Sequence, residues 1–351
     1  MKKILLTSIG ALATAMAFGQ GFFPYDSLVV SRVNSTANTA SSVDLVGFNL
    51  DGSSNSKVFS LSNLALSGTA NSEGQMNGSA SYLAIGGYDP ATTGSVANST
   101  TARRVAVFDN LANGGLGGVT YTDLPAGVHS GNNIRAAYTA DGSTLLTAGG
   151  AGGYRSTAAG TSTQLGVTAN TRVVKMSGST IYGSTGSATG NSGVGIYSLS
   201  GGTETLVQAT GAGASPYDFE FYNENSANYL FVADDRGTAA GGGLQVWSGG
   251  SLLKTIALPS TTSALRSIAV RTWNLNGVEQ TTIFGIANST KLVGYTFAKG
   301  SLTSATGTFT ELATADTGTV FRSVEVVPEP ASLAVMALGV AGLAARRRRK
   351  A

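Results

Sequence analysis

A four-strand unit recurs along this chain, and its spacing narrows the fold more than any other feature. One copy runs Tyr217-Asp218-Phe219-Glu220-Phe221, then Tyr229 to Asp234, then Gly243 to Trp247, then Ser251 to Ile256. A second runs Leu265 to Val270, Thr282 to Ile286, Lys291 to Phe297 and Thr308 to Leu312. The same opening recurs at Ile134-Arg135, at Thr171-Arg172 and, more loosely, at Glu73-Gly74-Gln75-Met76. Four strands per unit at a period of about 49 residues predict the blades of a β-propeller. The chain ends complete the pattern. Phe321 to Val326 is an opening strand with nothing after it, whereas Ser27 to Arg32, Val43 to Leu50 and Val58 to Leu61 are three strands without an opener. Joined, they make a composite blade that closes the ring and removes its exposed sheet edges. The expectation is an all-β, six-bladed β-propeller. The unit from Arg135 to Thr168 is thin, which makes seven blades the alternative count. An irregular sandwich or β-solenoid is the competing use of the same strands.

Composition agrees with many strands and many turns. Glycine occurs 48 times in 351 residues while charged residues make up only 12%, and glycine supplies the positive φ that tight hairpins require. With no cysteine, disulfides, thiolate metal sites and a cysteine nucleophile are absent. The net charge of +3 misleads, because Lys2, Lys3, Arg346, Arg347, Arg348, Arg349 and Lys350 all lie at the extremities. Without those seven the rest of the chain has 15 basic residues against 19 acidic ones. Nucleic acid is therefore not an expected partner, since its binding rests on clustered Lys and Arg.

Met1-Lys2-Lys3, an apolar run from Ile4 to Phe18, and small residues at Ala17 and Gly19 read as a secretory signal helix cut after Gly19 by signal peptidase. The other end reads Val327-Pro328-Glu329-Pro330, an apolar helix-forming segment from Ala331 to Ala345, and then Arg346 to Lys350. About fifteen helical residues reach only about 22 Å, short of a ~30 Å hydrocarbon core unless flanking residues help. The terminal cations hold that end on the cytoplasmic side. This tail resembles the PEP-CTERM sorting signal in its Pro-Glu-Pro motif, its hydrophobic membrane helix and its arginine cluster. The resemblance implies recognition and removal by an exosortase-type membrane protease, and it covers only about the last 25 residues; retention as a permanent anchor is the alternative. Three parts follow: a signal peptide over 1–19, a propeller domain over 20–327 and a sorting tail over 328–351. The expected route is export, transient residence in the inner membrane, then the cell surface or extracellular matrix. The body also loosely resembles exported propeller-like proteins that carry this tail, through Ser72-Glu73-Gly74, Tyr82 to Tyr88 and Gly242 to Trp247. No activity transfers from that likeness.

Catalytic constellations are scarce. His129 is the single histidine, so a histidine-rich metal site is impossible, and no Gly-x-Ser-x-Gly elbow marks a nucleophile. His129 reads as a loop residue. Glycine runs at 149–153 and 241–243 precede no helix that could hold a phosphate, so they read as turns. Asp residues show no calcium-loop spacing, and neither a metal nor a cofactor is expected. What remains is a ring. Opening strands line a propeller's channel, so Arg135, Arg172, Arg266 and Arg322 should converge with Asp218 at one mouth as a candidate pocket for an anionic or carbohydrate ligand, exopolysaccharide included. The competing role ties each arginine to a carboxylate such as Asp234 as a strut between blades. Two functions compete in the same way. A non-catalytic binding or matrix protein fits the sparse charge and missing catalytic set, and a propeller hydrolase or lyase acting on polysaccharide or a lactone is the alternative.

Overall fold

Runs such as Tyr229-Leu230-Phe231-Val232-Ala233 carry aromatic and branched side chains on both faces of a strand. Such a strand is stable only if a sheet packs on each side of it. The computed structural model, which describes residues 21–327 apart from 80, 93, 97, 98, 188–192, 262 and 276, meets that requirement. Its strands form antiparallel four-stranded meanders. They open with Gln75–Ser79, Ile134–Thr139, Thr171–Ser177, Pro216–Glu224 and Leu265–Leu275, and each continues through the next three strands in sequence. The fold is all-β and propeller-like. Helix is limited, among the described residues, to short turns at Ala112–Gly115 and Thr238–Ala240.

The composite sheet forms as the ends of the sequence require. Val320–Val326 pairs antiparallel with Ser27–Val33, which pairs with Ala40–Asn49, which pairs with Ser54–Ser67. Val30 lies opposite Val324, and beyond the last strand the Val327 amide donates to the Ser27 carbonyl at 2.9 Å.

The core lies between sheets. Phe231, Leu244, Ile268, Ile283 and Tyr295 fill the space between the Pro216 and Leu265 meanders. Leu28, Phe48, Phe284 and Phe321 join the Leu265 meander to the closing sheet, and Val29, Leu45, Met76 and Ile85 join the closing sheet to the Gln75 meander. Outer strands face water on one side. Ser251–Ile256 is exposed for most of its length. Hairpins use the turn whose twist matches the strands: Gly249 and Gly250 have φ of 56° and 82°, and the Asn225-Ser226 pair takes the same left-handed path at 49° and 66°.

The expected signal helix over 1–19 and the hydrophobic helix after Pro330 lie outside the described residues. Among the described residues no helix is long and apolar enough to cross a membrane.

Candidate functional site

The first strand of each meander sits innermost, and side chains of neighbouring first strands meet. Gln75 and Met76 run parallel to Ala136 and Ala137. The Gly149 amide, opposite Ile134, donates to Thr171 Oγ1 at 2.9 Å. Lys175 reaches Asp218, the Ile268 amide donates to Asp218 Oδ2 at 2.9 Å, and the Val324 amide donates to Ser267 Oγ at 3.1 Å. Ser323 Oγ then donates to the Met76 carbonyl at 3.1 Å, back at the starting strand.

A β-bulge interrupts five of these six strands near the start, Gln75–Ser79 being the exception. The ladder skips Arg135, skips Arg172 and Val173, skips Tyr217 and Asp218, skips Arg266, and skips Arg322. A bulged residue is unpaired and its side chain is re-aimed, which is how four arginines come to share one end of the axis. Asp218 is not among them. Its place is taken by Tyr217, whose ring lies 4.3 Å beneath the Arg172 guanidinium and 5.9 Å from that of Arg266. Aligning the strands by their charged residue put Asp218 one position out of register.

Three of the four arginines donate to the protein, whereas Arg172 stacks on Tyr217, and the Nε atoms of Arg172 and Arg322 are buried without an acceptor among the described residues. Arg322 is 2% exposed and donates to the Ser67 and Gly68 carbonyls at 2.9 Å. Arg266 pairs with Asp235 at 2.6 Å and reaches Ser289. Arg135 donates to Asn133, Asn170 and the Thr171 carbonyl. Burial draws both Arg135 and Arg322 down to about 10. Asp234, the strut partner expected from sequence, is instead held by Arg236 and Gln245. The carboxylate near Arg322 is Glu73, fully buried, accepting from Tyr88 Oη at 2.7 Å and the Ser67 amide at 3.1 Å. Burial pushes Glu73 up to about 7 against the pull of those bonds and of Arg322 and Arg103.

Three residues further along each strand lies a second row: Asn77, Tyr138, Lys175, Glu220, Ala269 and Glu325. They share one register, opposite Ala84, Leu146, Tyr182, Phe231, Phe284 and Val29 of the adjacent strands. Lys175 bridges Asp218 at 2.8 Å and Glu220 at 2.6 Å. Burial opposes its charge, but Asp218, Glu220 and Glu325 outweigh burial and raise its proton affinity. Burial raises Glu220 and Glu325 as well, reinforced by the other carboxylates and opposed by Lys175; Glu325 is pushed well above the usual carboxylate range. A cavity of about 300 Å³ opens here, lined by Ser79, Tyr82, Glu220, Arg271 and Glu325. Sequence reading missed this end, although Lys175 and Glu325 each stand three residues after an arginine of the first row. His129 lies in a loop as expected, yet wholly buried between the Ala151 carbonyl and Thr147 Oγ1. Of the sorting residues, Val327 is described and buried; Pro328, Glu329, Pro330 and Arg346 to Arg349 lie outside the described residues.

Residues 326–349 match the PEP-CTERM protein-sorting motif. That motif implies an exported chain handled by an exosortase and destined for the cell surface. No curated protein matches the chain. Among solved structures it is similar to dihydro-heme d1 dehydrogenase NirN in complex with DHE, at 10% identity over 86% of this chain and 75% of that one, with a TM-score of 0.42. It is also similar to an arginine-to-alanine mutant of AofleA from Arthrobotrys oligospora, at 12% identity over 89% and 92%, with a TM-score of 0.42. A third is the β-propeller domain of the Trilobed protease from Pyrococcus furiosus, at 10% identity over 82% and 81%, with a TM-score of 0.35.

Proposed function

We propose that this chain is an exported six-bladed propeller, delivered by its tail to the cell surface or matrix, where it acts as a non-catalytic binding or structural module. Residues 1–19 are a signal peptide, 20–327 the propeller and 328–351 the sorting tail. The observation that carries this reading is the junction at Val326. The sorting motif starts there, on the last residue of the strand that closes the ring, so removal of the tail leaves every blade intact. In this reading the arginine ring is a hub that ties blades together, with Arg135, Arg266 and Arg322 bonded to neighbouring strands and loops and Arg172 stacked on Tyr217.

The cavity lined by Glu220, Glu325 and Arg271 favours a second reading, a hydrolase or lyase acting on polysaccharide or a lactone. It requires that product appear on incubation and disappear with Glu325→Gln. Intact-mass measurement on secreted protein tests the first reading. The mature chain starts near Gln20 and ends near Pro330. Recovery of chains that still carry Arg346 to Lys350 refutes processing, and loss of surface delivery only in an exosortase-deficient host supports it.

A further inference from the structure

The second row of the channel carries more carboxyl groups than cations, an excess met by the raised proton affinity of Glu220 and Glu325 and not by a second basic side chain. Asp218, Glu220 and Glu325 face the single ammonium of Lys175, which is already committed to Asp218 and Glu220. Arg271, across the cavity, is paired with Asp26. Glu325 has no cation within bonding distance among the described residues. In the same row Asn77 is 2% exposed and its Oδ1 has no hydrogen-bond donor among the described residues. Among the described residues no three acidic or histidine side chains gather closely enough to hold a metal ion, whereas an ammonium group needs one carboxylate and not a ligand cage.

The shape of the site extends this. Tyr82 lines the cavity and also a second one of about 470 Å³, bordered by Asp109, Asn113, Thr120, Asp141 and Ser143. Hydroxyls, an amide and further carboxylates line that outer space, and the Tyr82 ring stands between the two. A half-exposed aromatic with hydroxyl and amide groups on either side suits an elongated hydroxylated chain, whose ring faces pack on the aromatic while its edges hydrogen-bond.

From this we infer that the Glu325 end of the channel and the groove past Tyr82 bind an oligosaccharide bearing free amino groups, one ammonium sitting against Glu325. The inference rests on the binding reading above and names its ligand. It takes the opposite sign of charge from the ligand expected at the arginine ring.

The test is calorimetric titration of the secreted protein with a β-1,4-linked glucosamine tetramer, with the fully N-acetylated tetramer, with a uronic acid tetramer and with spermidine. The free-amine tetramer binds, and the acetylated and uronic ones bind at least about tenfold more weakly, as expected for loss of one charge-assisted contact. Glu325→Gln lowers affinity for the free-amine tetramer by about tenfold or more, Tyr82→Ala lowers it too, and Arg172→Gln at the other end leaves it unchanged. Melting of each variant within a few degrees of the parent confirms that the site, and not the fold, was altered. Equal binding of free-amine and acetylated tetramers, or unchanged affinity in Glu325→Gln, overturns the inference. Spermidine binding as tightly as the tetramer overturns it as a saccharide site. Shorter oligomers detected by mass spectrometry in the same sample would retain the occupant and overturn the non-catalytic reading.

Discussion

Replacing Arg322 with Met separates a strut from a ligand contact, and the structure gives the size of the effect. The methionine keeps the apolar stem but removes the guanidinium. The Ser67 and Gly68 carbonyls, each accepting at 2.9 Å, lose their donor, and Glu73 loses a nearby cation. With Glu73 protonated, the cost is that of the two carbonyls, about 3 kcal/mol. The carboxyl has a folded pKa of about 7, above its unfolded value, so its ionisation costs stability as pH rises towards and through 7. Without Arg322 the folded pKa rises further, and each added unit costs about 1.4 kcal/mol once the solution is alkaline enough to ionise it in the unfolded chain and the parent. The loss should therefore grow to about 5 kcal/mol at pH 8.5, within the range for a broken buried pair. For a body of about 300 residues the unfolding entropy is about 0.6 kcal/mol/K, so Tm falls by about 5 °C at pH 5.5 and about 8 °C at pH 8.5. Calorimetry of parent and Arg322→Met at both pH values measures this. A fall of less than about 2 °C at both, or an equal fall at both, refutes the strut.

Two further outcomes follow from the same reasoning. Deleting residues 320–326 exposes the full length of Ser27–Val33 as an unpaired edge and should produce aggregation or a broad, non-cooperative melt; a truncated chain that melts like the parent shows the ring is not closed by this strand. His129, neutral in the fold because burial lowers it to about 4, contributes stability that is complete above about 6.5 and is lost on acidification to about 4, some 3 kcal/mol in all. Denaturant midpoints at pH 7 and 4.5 should show that acid loss in the parent and a flatter response in His129→Gln, and matching responses would exclude His129 as its source.

Much of this architecture was legible in the linear order of residues. Strand-forming runs, turn glycines and spacing record local requirements, and each must be satisfied within a few residues of itself. Even the pairing of chain ends could be read, because an opening strand at 321–326 lacked followers and three strands near the start lacked an opener. The tail was legible for the same reason, being a contiguous string of prolines, apolar residues and arginines.

Orientation across the channel was not legible. Register shifts at the start of five of the six inner strands turn Arg135, Arg172, Tyr217, Arg266 and Arg322 toward one end, and a bulge is a property of two paired strands, invisible in either alone. This is why Asp218 was grouped with the arginines, though it pairs with Lys175 and receives the Ile268 amide. The same bulges turn residues three apart toward one channel, about 10 Å apart along it. Only with the sheets assembled do Lys175, Glu220 and Glu325, drawn from strands up to 150 residues apart, gather around one cavity. Sequence alone determined that this chain is exported, strand-built and closed on itself, since those depend on neighbours along the chain. Which charges meet, and which mouth has room for a ligand, was decided by tertiary structure, because electrostatics and burial act through distance in space and not along the backbone.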